Sequence, residues 1–148
     1  MKLLIDTNVI LDILLKREPF FSDSYGALKK AAEEDAECYL SSSAVTDIFY
    51  ILRKAFQSAM QAKETLSRLM LLVSFSDVLS SDITDALNSE MTDFEDAVVN
   101  AVGNRLKADY IITRNTKDFA KADAIRAELL ENGIIIEDTR EGVKWKKA

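Results

Sequence analysis

The sequence predicts an α/β domain with a central parallel sheet and helices on both faces, and three observations lead to this prediction. Short apolar runs without polar alternation, such as residues 3–5 and 110–112, are typical of strands buried on both faces. Segments whose apolar residues recur at helical spacing separate these runs. Strands that alternate with helices in this way form right-handed βαβ units, in which the strands lie parallel.

The predicted elements follow one another without a linker or an internal repeat. The first helix begins within about two residues of strand 3–5, because apolar residues recur at helical spacing from Val9 onward. The other predicted strands are residues 37–40, 75–79, 110–112 and 134–136, before a closing segment at 143–147. The other predicted helices are residues 22–34, 43–56, 61–73, 80–87, 92–106 and 120–131.

The composition is that of a single globular domain, with 148 residues, of which 48% are hydrophobic and 30% charged. This length is sufficient to bury a core without disulfides or metal staples. Cys38 is the single cysteine, so no internal disulfide forms, and we expect it to be a small buried hydrophobe. Because the sequence contains no signal peptide and no spanning segment, we expect a cytoplasmic protein without a membrane partner.

The absence of histidine narrows the chemistry. Histidine-based acid–base catalysis, Ser-His-Asp triads and zinc sites that need imidazole are all excluded. Carboxylates, amides and water remain, and these are the preferred ligands of hard cations such as Mg²⁺ and Mn²⁺. The net charge of −6 argues against nucleic-acid binding through charge alone. It is compatible with a nuclease whose clustered acids hold a metal ion.

Asp6 occupies the position around which the site hypothesis is built. It follows the buried strand 3–5 directly and is succeeded by Thr7 and Asn8, at the turn into the first helix. Open α/β sheets bind their ligands at the carboxyl ends of such strands. The alternative is that Asp6, Thr7 or Asn8 only caps the helix, a role that suits all three residue types.

The helix predicted from residue 92 offers a second group of polar residues. Asp93, Asp96, Asn100 and Asn104 recur at i, i+3, i+7 and i+11 and share one face. We expect Thr92 to cap this helix and Glu95 to close a capping box, so that Asp96 rather than Glu95 faces the site. The alternative is an ordinary solvated helix face.

A third polar turn follows the strand at 110–112. It contains Thr113, Asn115 and Asp118, and these could also be turn residues without a further role. If the strand lies parallel beside strand 3–5, both polar turns emerge at one edge of the sheet, and we expect Asp6 and Asp118 to lie there together. Asp47, by contrast, projects about 200° from the apolar Val45 at 100° per residue and is predicted to face solvent.

Three blocks of sequence, residues 5–9 (IDTNV), 93–97 (DFEDA) and 108–119 (ADYIITRNTKDF), together resemble the signature blocks of PIN-domain nucleases. The resemblance covers residues 1–119 and implies a three-layer α/β fold. It also implies a ribonuclease that depends on Mg²⁺ or Mn²⁺, often the toxin of a VapC-type toxin–antitoxin pair. RNA as substrate, a small antitoxin as partner and a homodimer are further expectations from the resemblance.

The resemblance implies roles for individual residues. Asp6, Asp96 and Asp118 match the family's metal-binding acids. Asp47 matches the family's second acid, which is usually Glu on the helix after the second strand, so the carboxylate here is one methylene shorter. The supporting residues are Thr7, Asn8, Asp93, Thr113 and Asn115.

Basic residues near these blocks are candidates for binding the RNA backbone. Arg114 and Lys117 lie within the last block and are the substrate-binding residues we predict. The other candidates are Lys16, Arg17, Arg53 and Lys54.

Two other functions use the same ingredients. An Asp-nucleophile phosphatase needs a second Asp two residues after the first, and here that residue is Asn8. A PIN-like RNA-binding or protein-interaction module with a weakened site is the second alternative, and the shorter Asp47 favours it.

Overall fold

The computed structural model describes residues 1–115 and, for the backbone, residues 134–139 and 142–147. The strands are β1 (Lys2–Ile5), β2 (Glu37–Ser41), β3 (Ser74–Ser76), β4 (Tyr110–Ile112), β5 (Ile134–Thr139) and β6 (Gly142–Lys147). The helices in these ranges are α1 (Thr7–Leu14), α2 (Phe21–Glu33), α3 (Ser42–Phe56), α4 (Ala59–Leu69), α5 (Ser80–Leu87) and α6 (Phe94–Leu106).

Four strands form one parallel sheet in the order β3-β2-β1-β4. In the register, Ile5 on the central strand β1 lies between Leu40 on β2 and Ile112 on β4. The chain runs outward from β1 through β2 to β3 and then returns to add β4 on the other side of β1. The carboxyl ends of β1 and β4 therefore border a topological switch point, which is where open α/β sheets bind ligands.

Helices cover both faces of this sheet, as the sequence predicts. Along β1, Leu3 and Ile5 belong to a core cluster with residues of α1 to α4. Leu4, whose side chain points the other way, belongs to a second cluster with Ala86 of α5 and Val102 of α6. The result is a three-layer α/β domain, and the predicted fold class is confirmed.

Gly103 lets α6 approach the sheet closely. A Cβ atom at this position would lie 3.3 Å from the Ile111 Cδ1 atom and 3.4 Å from the Leu4 Cδ2 atom. The carboxyl-terminal half of α6 can therefore lie close to β1 and β4.

The C-terminal strands differ from the prediction. Residues 134–136 do form a strand, but β5 pairs antiparallel with β6 in a separate two-stranded sheet, with Ile136 opposite Trp145. Pairing between segments so close in sequence closes only a short loop and costs little chain entropy. The helix predicted at 120–131 lies outside the described residues.

Three boundaries also shift. The fourth helix is α4, which ends at Leu69 rather than at residue 73, and β3 is shorter than the predicted 75–79. The sixth helix begins at Phe94 with Asp93 as its N-cap, so the prediction that Thr92 caps it is wrong.

Cys38 is half-buried with a free thiol, and burial raises its pKa. Among the described residues, no helix is long and apolar enough to span a membrane.

Candidate active site

Asp6 lies at the turn between β1 and α1 with 4% of its surface exposed. Its backbone caps α1, since the Asp6 carbonyl oxygen accepts from the amides of Val9 and Ile10. Its carboxylate makes no side-chain cap hydrogen bond. Instead, the Asp6 Oδ2 atom accepts a hydrogen bond of 2.8 Å from the Thr113 hydroxyl. Capping alone therefore does not account for this carboxylate.

The turn after β4 joins two carboxylates of the site. The Thr113 hydroxyl donates to Asp6 and accepts from the Asn115 amide at 3.0 Å, which uses both capacities of a hydroxyl group. The Asn115 side-chain amide donates to the Asp96 Oδ2 atom at 2.6 Å. Asp6 from β1 and Asp96 from α6 are thus linked through residues 113–115, and the predicted companions Thr113 and Asn115 lie between them.

The first turn of α6 brings a further acid to the same place. The Asp93 Oδ1 atom accepts from the Asp96 amide at 3.1 Å and so caps the helix. Glu95 closes no capping box; its Oε1 atom accepts from the Thr7 hydroxyl at 3.3 Å. The prediction that Asp96 faces the site while Glu95 turns back to the cap is therefore wrong for Glu95, because Asp96 and Glu95 both contact site residues.

Burial dominates the electrostatics of the site, and neighbouring acids add to its effect at Glu95. Burial raises the pKa of Asp6, although the Thr113 hydrogen bond, the amides of Thr7 and Asn8 and the charge of Arg114 oppose it. Burial also raises the pKa of Glu95, and the negative charges of Asp47, Asp6 and Asp93 raise it further. Both shifts mean that the local environment disfavours the ionised carboxylates.

Asp47 is exposed on α3, as its helical angle predicts. It nevertheless lies close enough to Glu95 for its charge to raise the pKa of that carboxyl. The side of α3 that faces solvent at Asp47 is therefore also the side that faces the site. The exposed Asn8 lies at the start of α1, beside Asp6 and Thr7.

Of the two predicted substrate-binding residues, the structure describes only Arg114. Arg114 is a quarter exposed, and its Nε atom lies 3.1 Å from the Oδ2 atom of the buried Asp12. Its guanidinium carbon lies 4.0 Å from the centroid of the Phe20 ring. Lys117 and Asp118 lie outside the described residues.

The donor set fits a hard divalent cation. Asp6, Asp96, Glu95 and Asp47 offer only carboxylate oxygens, and Arg114 is already paired with Asp12. A cation would stabilise the ionised forms of Asp6 and Glu95, which burial disfavours at both residues and neighbouring acids disfavour further at Glu95. Within residues 1–115, the structure brings together no group of three or more acids that could by itself hold a metal ion.

Sequence reasoning missed two acids, Glu95 and Asp12. Thr92 and Asp93 are both suitable N-caps. With Thr92 as the N-cap, Glu95 occupies the third helical position and can close a capping box; with Asp93 as the N-cap, Asp96 occupies that position. Asp12 is fully buried on α1. A signal for it exists in the sequence, since it lies at i+3 from Val9, on the apolar side of the helix.

The family follows from a direct comparison. A sequence model described as the PIN domain matches residues 2–117, which include every described residue of the site. The chain belongs to the PIN domain family.

Solved structures with similar folds come from bacterial toxin–antitoxin systems. A Rickettsia felis VapBC2 structure bound to a promoter DNA fragment gives a TM-score of 0.65 at 16% identity, covering 82% of this chain and 92% of that chain. A toxin–antitoxin complex from Klebsiella pneumoniae gives a TM-score of 0.55 at 25% identity. The match covers 79% of this chain and 89% of that chain. VapC20 of Mycobacterium tuberculosis, described as a sarcin–ricin loop cleaving toxin, gives a TM-score of 0.60 at 15% identity. The match covers 80% of this chain and 94% of that chain.

Curated relatives are of another kind. A stretch of 44 residues, 30% of this chain, is 66% identical to the cysteine–tRNA ligase of Lachnoclostridium phytofermentans, of which it covers 9%. A longer match to the cysteine–tRNA ligase of Lachnospira eligens is 31% identical over 128 residues, 85% of this chain and 25% of that protein. The chain thus spans a quarter or less of the length of these relatives.

Proposed function

We propose that this PIN domain is a ribonuclease that hydrolyses RNA phosphodiester bonds with the help of Mg²⁺ or Mn²⁺. One observation carries the proposal: residues 113–115 hold the carboxylates of Asp6 and Asp96 together at the switch point of the sheet. Carboxylates assembled there without a histidine in the chain are suited to cation-assisted chemistry.

A bound divalent cation would supply Lewis-acid stabilisation of the charge that develops on the phosphate and would lower the pKa of water. Asp6 and Asp96 would hold it, and Asp118, three residues after Asn115, is the third ligand we propose. The role of the chain's own residues is orientation. Thr113 binds one oxygen of Asp6 and Asn115 binds one oxygen of Asp96, and we propose that these bonds orient both carboxylates for cation binding.

Glu95 and Asp47 are the further acids we assign to the site. Thr7 orients the Glu95 carboxylate through its hydroxyl. The charge of Asp47 raises the pKa of Glu95, which supports the assignment of both acids to one site. Asp47 is one methylene shorter than the residue usual in the family. We infer that the longer side chain of Glu95 brings a carboxylate to the part of the site that Asp47 does not reach.

For the substrate, we propose a structured RNA bound through its backbone, with Lys117 as a phosphate contact. Two likenesses support this class. VapC20 is described as cleaving the sarcin–ricin loop, and the curated relatives are cysteine–tRNA ligases, whose name refers to tRNA. The short coverage of those ligases gives no reason to propose ligase activity here. We propose tRNA and ribosomal RNA as the two substrates to test first.

The biological setting we propose is that of a toxin held by a small antitoxin protein. The similar folds of the Rickettsia felis VapBC2 and Klebsiella pneumoniae toxin–antitoxin structures support it. A homodimer in the cytoplasm is part of the same proposal. Co-expression with the product of a short adjacent reading frame, followed by purification through one partner, tests the pairing, and light scattering gives the number of copies in the free protein.

A non-catalytic PIN module is the alternative function, and the short Asp47 is the observation that favours it. The discriminating experiment incubates the purified chain with total tRNA or ribosomal RNA in Mg²⁺, Mn²⁺ or EDTA. We expect discrete cleavage products from one RNA class with metal and none with EDTA. RNA that is bound but intact in both metals would favour the binding module.

A further inference from the structure

An ion pair between a fully buried acid and a mostly buried arginine lies beside the site. Asp12, on α1, has a fully buried side chain, and Arg114 stands between Thr113 and Asn115 in the turn that links the two site carboxylates. The Arg114 Nε atom is 3.1 Å from the Asp12 Oδ2 atom. The Arg114 side chain therefore pairs with Asp12, while its charge still acts on the Asp6 carboxylate.

Two further contacts attach this pair to the helices beneath it. The Ser24 hydroxyl, on α2, donates to the Asp12 Oδ2 atom at 3.1 Å. The guanidinium of Arg114 lies over the ring of Phe20, the N-cap residue of α2. The turn after β4 is thus anchored to α1 through Asp12 and to the start of α2 through Phe20.

Stability alone does not explain the pair. Burying two charges costs desolvation energy that their attraction often fails to exceed. The cost is higher here because the Asp12 Oδ1 atom and the Arg114 Nε atom make no hydrogen bond within the described part of the chain. Buried ionic groups of this kind are best attested where they fix one geometry against others.

We propose that Asp12 and Arg114 are positioning residues, which lock the turn at 113–115 so that Thr113 and Asn115 can orient Asp6 and Asp96. The inference rests on the proposed metal-dependent function, since it explains how that metal site is organised. It also assigns Arg114 to the support of the site rather than to direct contact with RNA.

The chain contains a matched control. Asp82 of α5 is 1% exposed, and the Arg105 Nε atom lies 2.9 Å and 3.0 Å from its two carboxylate oxygens. Arg105 is nine residues beyond Asp96 on α6, which is about 14 Å along the helix axis. Breaking this second pair tests the effect of losing a buried ion pair away from the site.

The experiment compares Asp12→Asn, Arg114→Met, Arg114→Lys and Asp82→Asn in the full chain. The first measurement is amide hydrogen exchange in the metal-free protein, expressed as the rate at Asn115 divided by the rate at Val102. Val102 is fully buried in α6 and reports global unfolding, so the ratio isolates local opening of the turn. The second measurement is the affinity for Mn²⁺.

We expect Asp12→Asn and Arg114→Met to raise the exchange ratio and to weaken Mn²⁺ binding, each by about tenfold or more. Arg114→Lys keeps the charge but loses the planar fork, so it should recover part of both effects. Asp82→Asn should lower the melting temperature, should not raise the exchange ratio and should leave Mn²⁺ affinity unchanged. If a single variant fails to fold, Asp12→Leu with Arg114→Met removes both charges together and takes its place.

An unchanged exchange ratio in Asp12→Asn and Arg114→Met would overturn the positioning role. So would an equal loss of Mn²⁺ affinity in Asp82→Asn, because general destabilisation would then account for the effect. A raised ratio combined with no Mn²⁺ binding by the wild-type protein would support the positioning of the turn and contradict the proposed metal-dependent function.

Discussion

The Thr113 hydroxyl donates a 2.8 Å hydrogen bond to the carboxylate of Asp6, although 107 residues separate them in sequence. Adjacent parallel strands bring the two together, since Ile5 and Ile112 are paired in the register directly before them. One hydroxyl thereby joins the first strand of the chain to the turn that also holds Asp96.

Replacing Thr113 by Val tests this link. Valine keeps the branched shape, but the buried Asp6 carboxylate loses its donor, which should cost about 1–3 kcal/mol of the free energy of unfolding. Mn²⁺ affinity should fall by about 10- to 100-fold, as is typical for residues that orient a ligand. Thr113→Ser restores the hydroxyl and is the matched control; calorimetric titration of both variants with Mn²⁺ makes the comparison. Equal affinity in Val and Ser variants would show that the hydroxyl does not matter.

The stability of the metal-free protein should depend on pH through Asp6 and Glu95. Burial raises their pKa from the ordinary values of 3.8 and 4.5, so the folded protein holds these protons more tightly than the unfolded chain. Stability from these two groups is therefore present below the ordinary values and is lost as pH rises through the raised ones.

Asp6→Asn removes one of these groups, and the metal-free variant should gain stability relative to the wild type as pH rises from about 4 to 7. Denaturant unfolding of both proteins across this range measures the difference. With saturating Mn²⁺ the wild type should be more stable than Asp6→Asn, because the cation binds the ionised wild-type site. A constant difference between the two proteins at every pH would contradict the assignment.

Glu95→Gln tests the acid that the sequence assigned to a helix cap. The glutamine amide oxygen can still accept a hydrogen bond from the Thr7 hydroxyl. The substitution removes the negative charge near Asp47 and Asp6, so Mn²⁺ affinity should fall by about tenfold or more. The exposed Glu90 lies just before α6, and Glu90→Gln makes the same change in net charge. Equal effects of the two substitutions would mean that only the overall charge matters.

Asp47→Glu restores the side-chain length that is usual at this position in the family. We expect RNA cleavage equal to or higher than that of the wild type, because the added methylene brings the carboxylate further into the site. Rates measured with saturating enzyme at fixed Mg²⁺ separate this from a change in RNA binding. A large loss of rate would indicate that Glu95 and the longer side chain compete for the same space.

Local patterns predict the parallel sheet and the proximity of several candidate residues, and for a physical reason. The fully buried residues of β1 and the polar residues at the ends of β1 and β4 are properties of short segments, and parallel pairing then places Asp6 beside Thr113. Asp96 was found because i, i+3 spacing in a helix fixes which residues share a face.

The parts that sequence reasoning missed depend on competition or on distant contacts. Thr92 and Asp93 are both suitable N-caps, and Asp93 prevails, which frees Glu95 to contact Thr7. The pairing of β5 with β6 rather than with the main sheet is a choice between partners that the apolar pattern of residues 134–136 does not encode. The Asp12–Arg114 pair joins residues 102 positions apart, and helical periodicity marks Asp12 only as an acid on an apolar face.

The most direct test of the central claim is cleavage of end-labelled RNA by wild type and Asp6→Asn, purified in parallel and assayed with Mn²⁺, with EDTA, and with Mn²⁺ restored after EDTA. Asn keeps the size of Asp but removes the charge that would hold the cation. The account predicts cleavage by the wild type that EDTA abolishes and Mn²⁺ restores, and a rate at least about 100-fold lower for a folded Asp6→Asn. Undiminished cleavage by Asp6→Asn, or cleavage indifferent to EDTA, would contradict it.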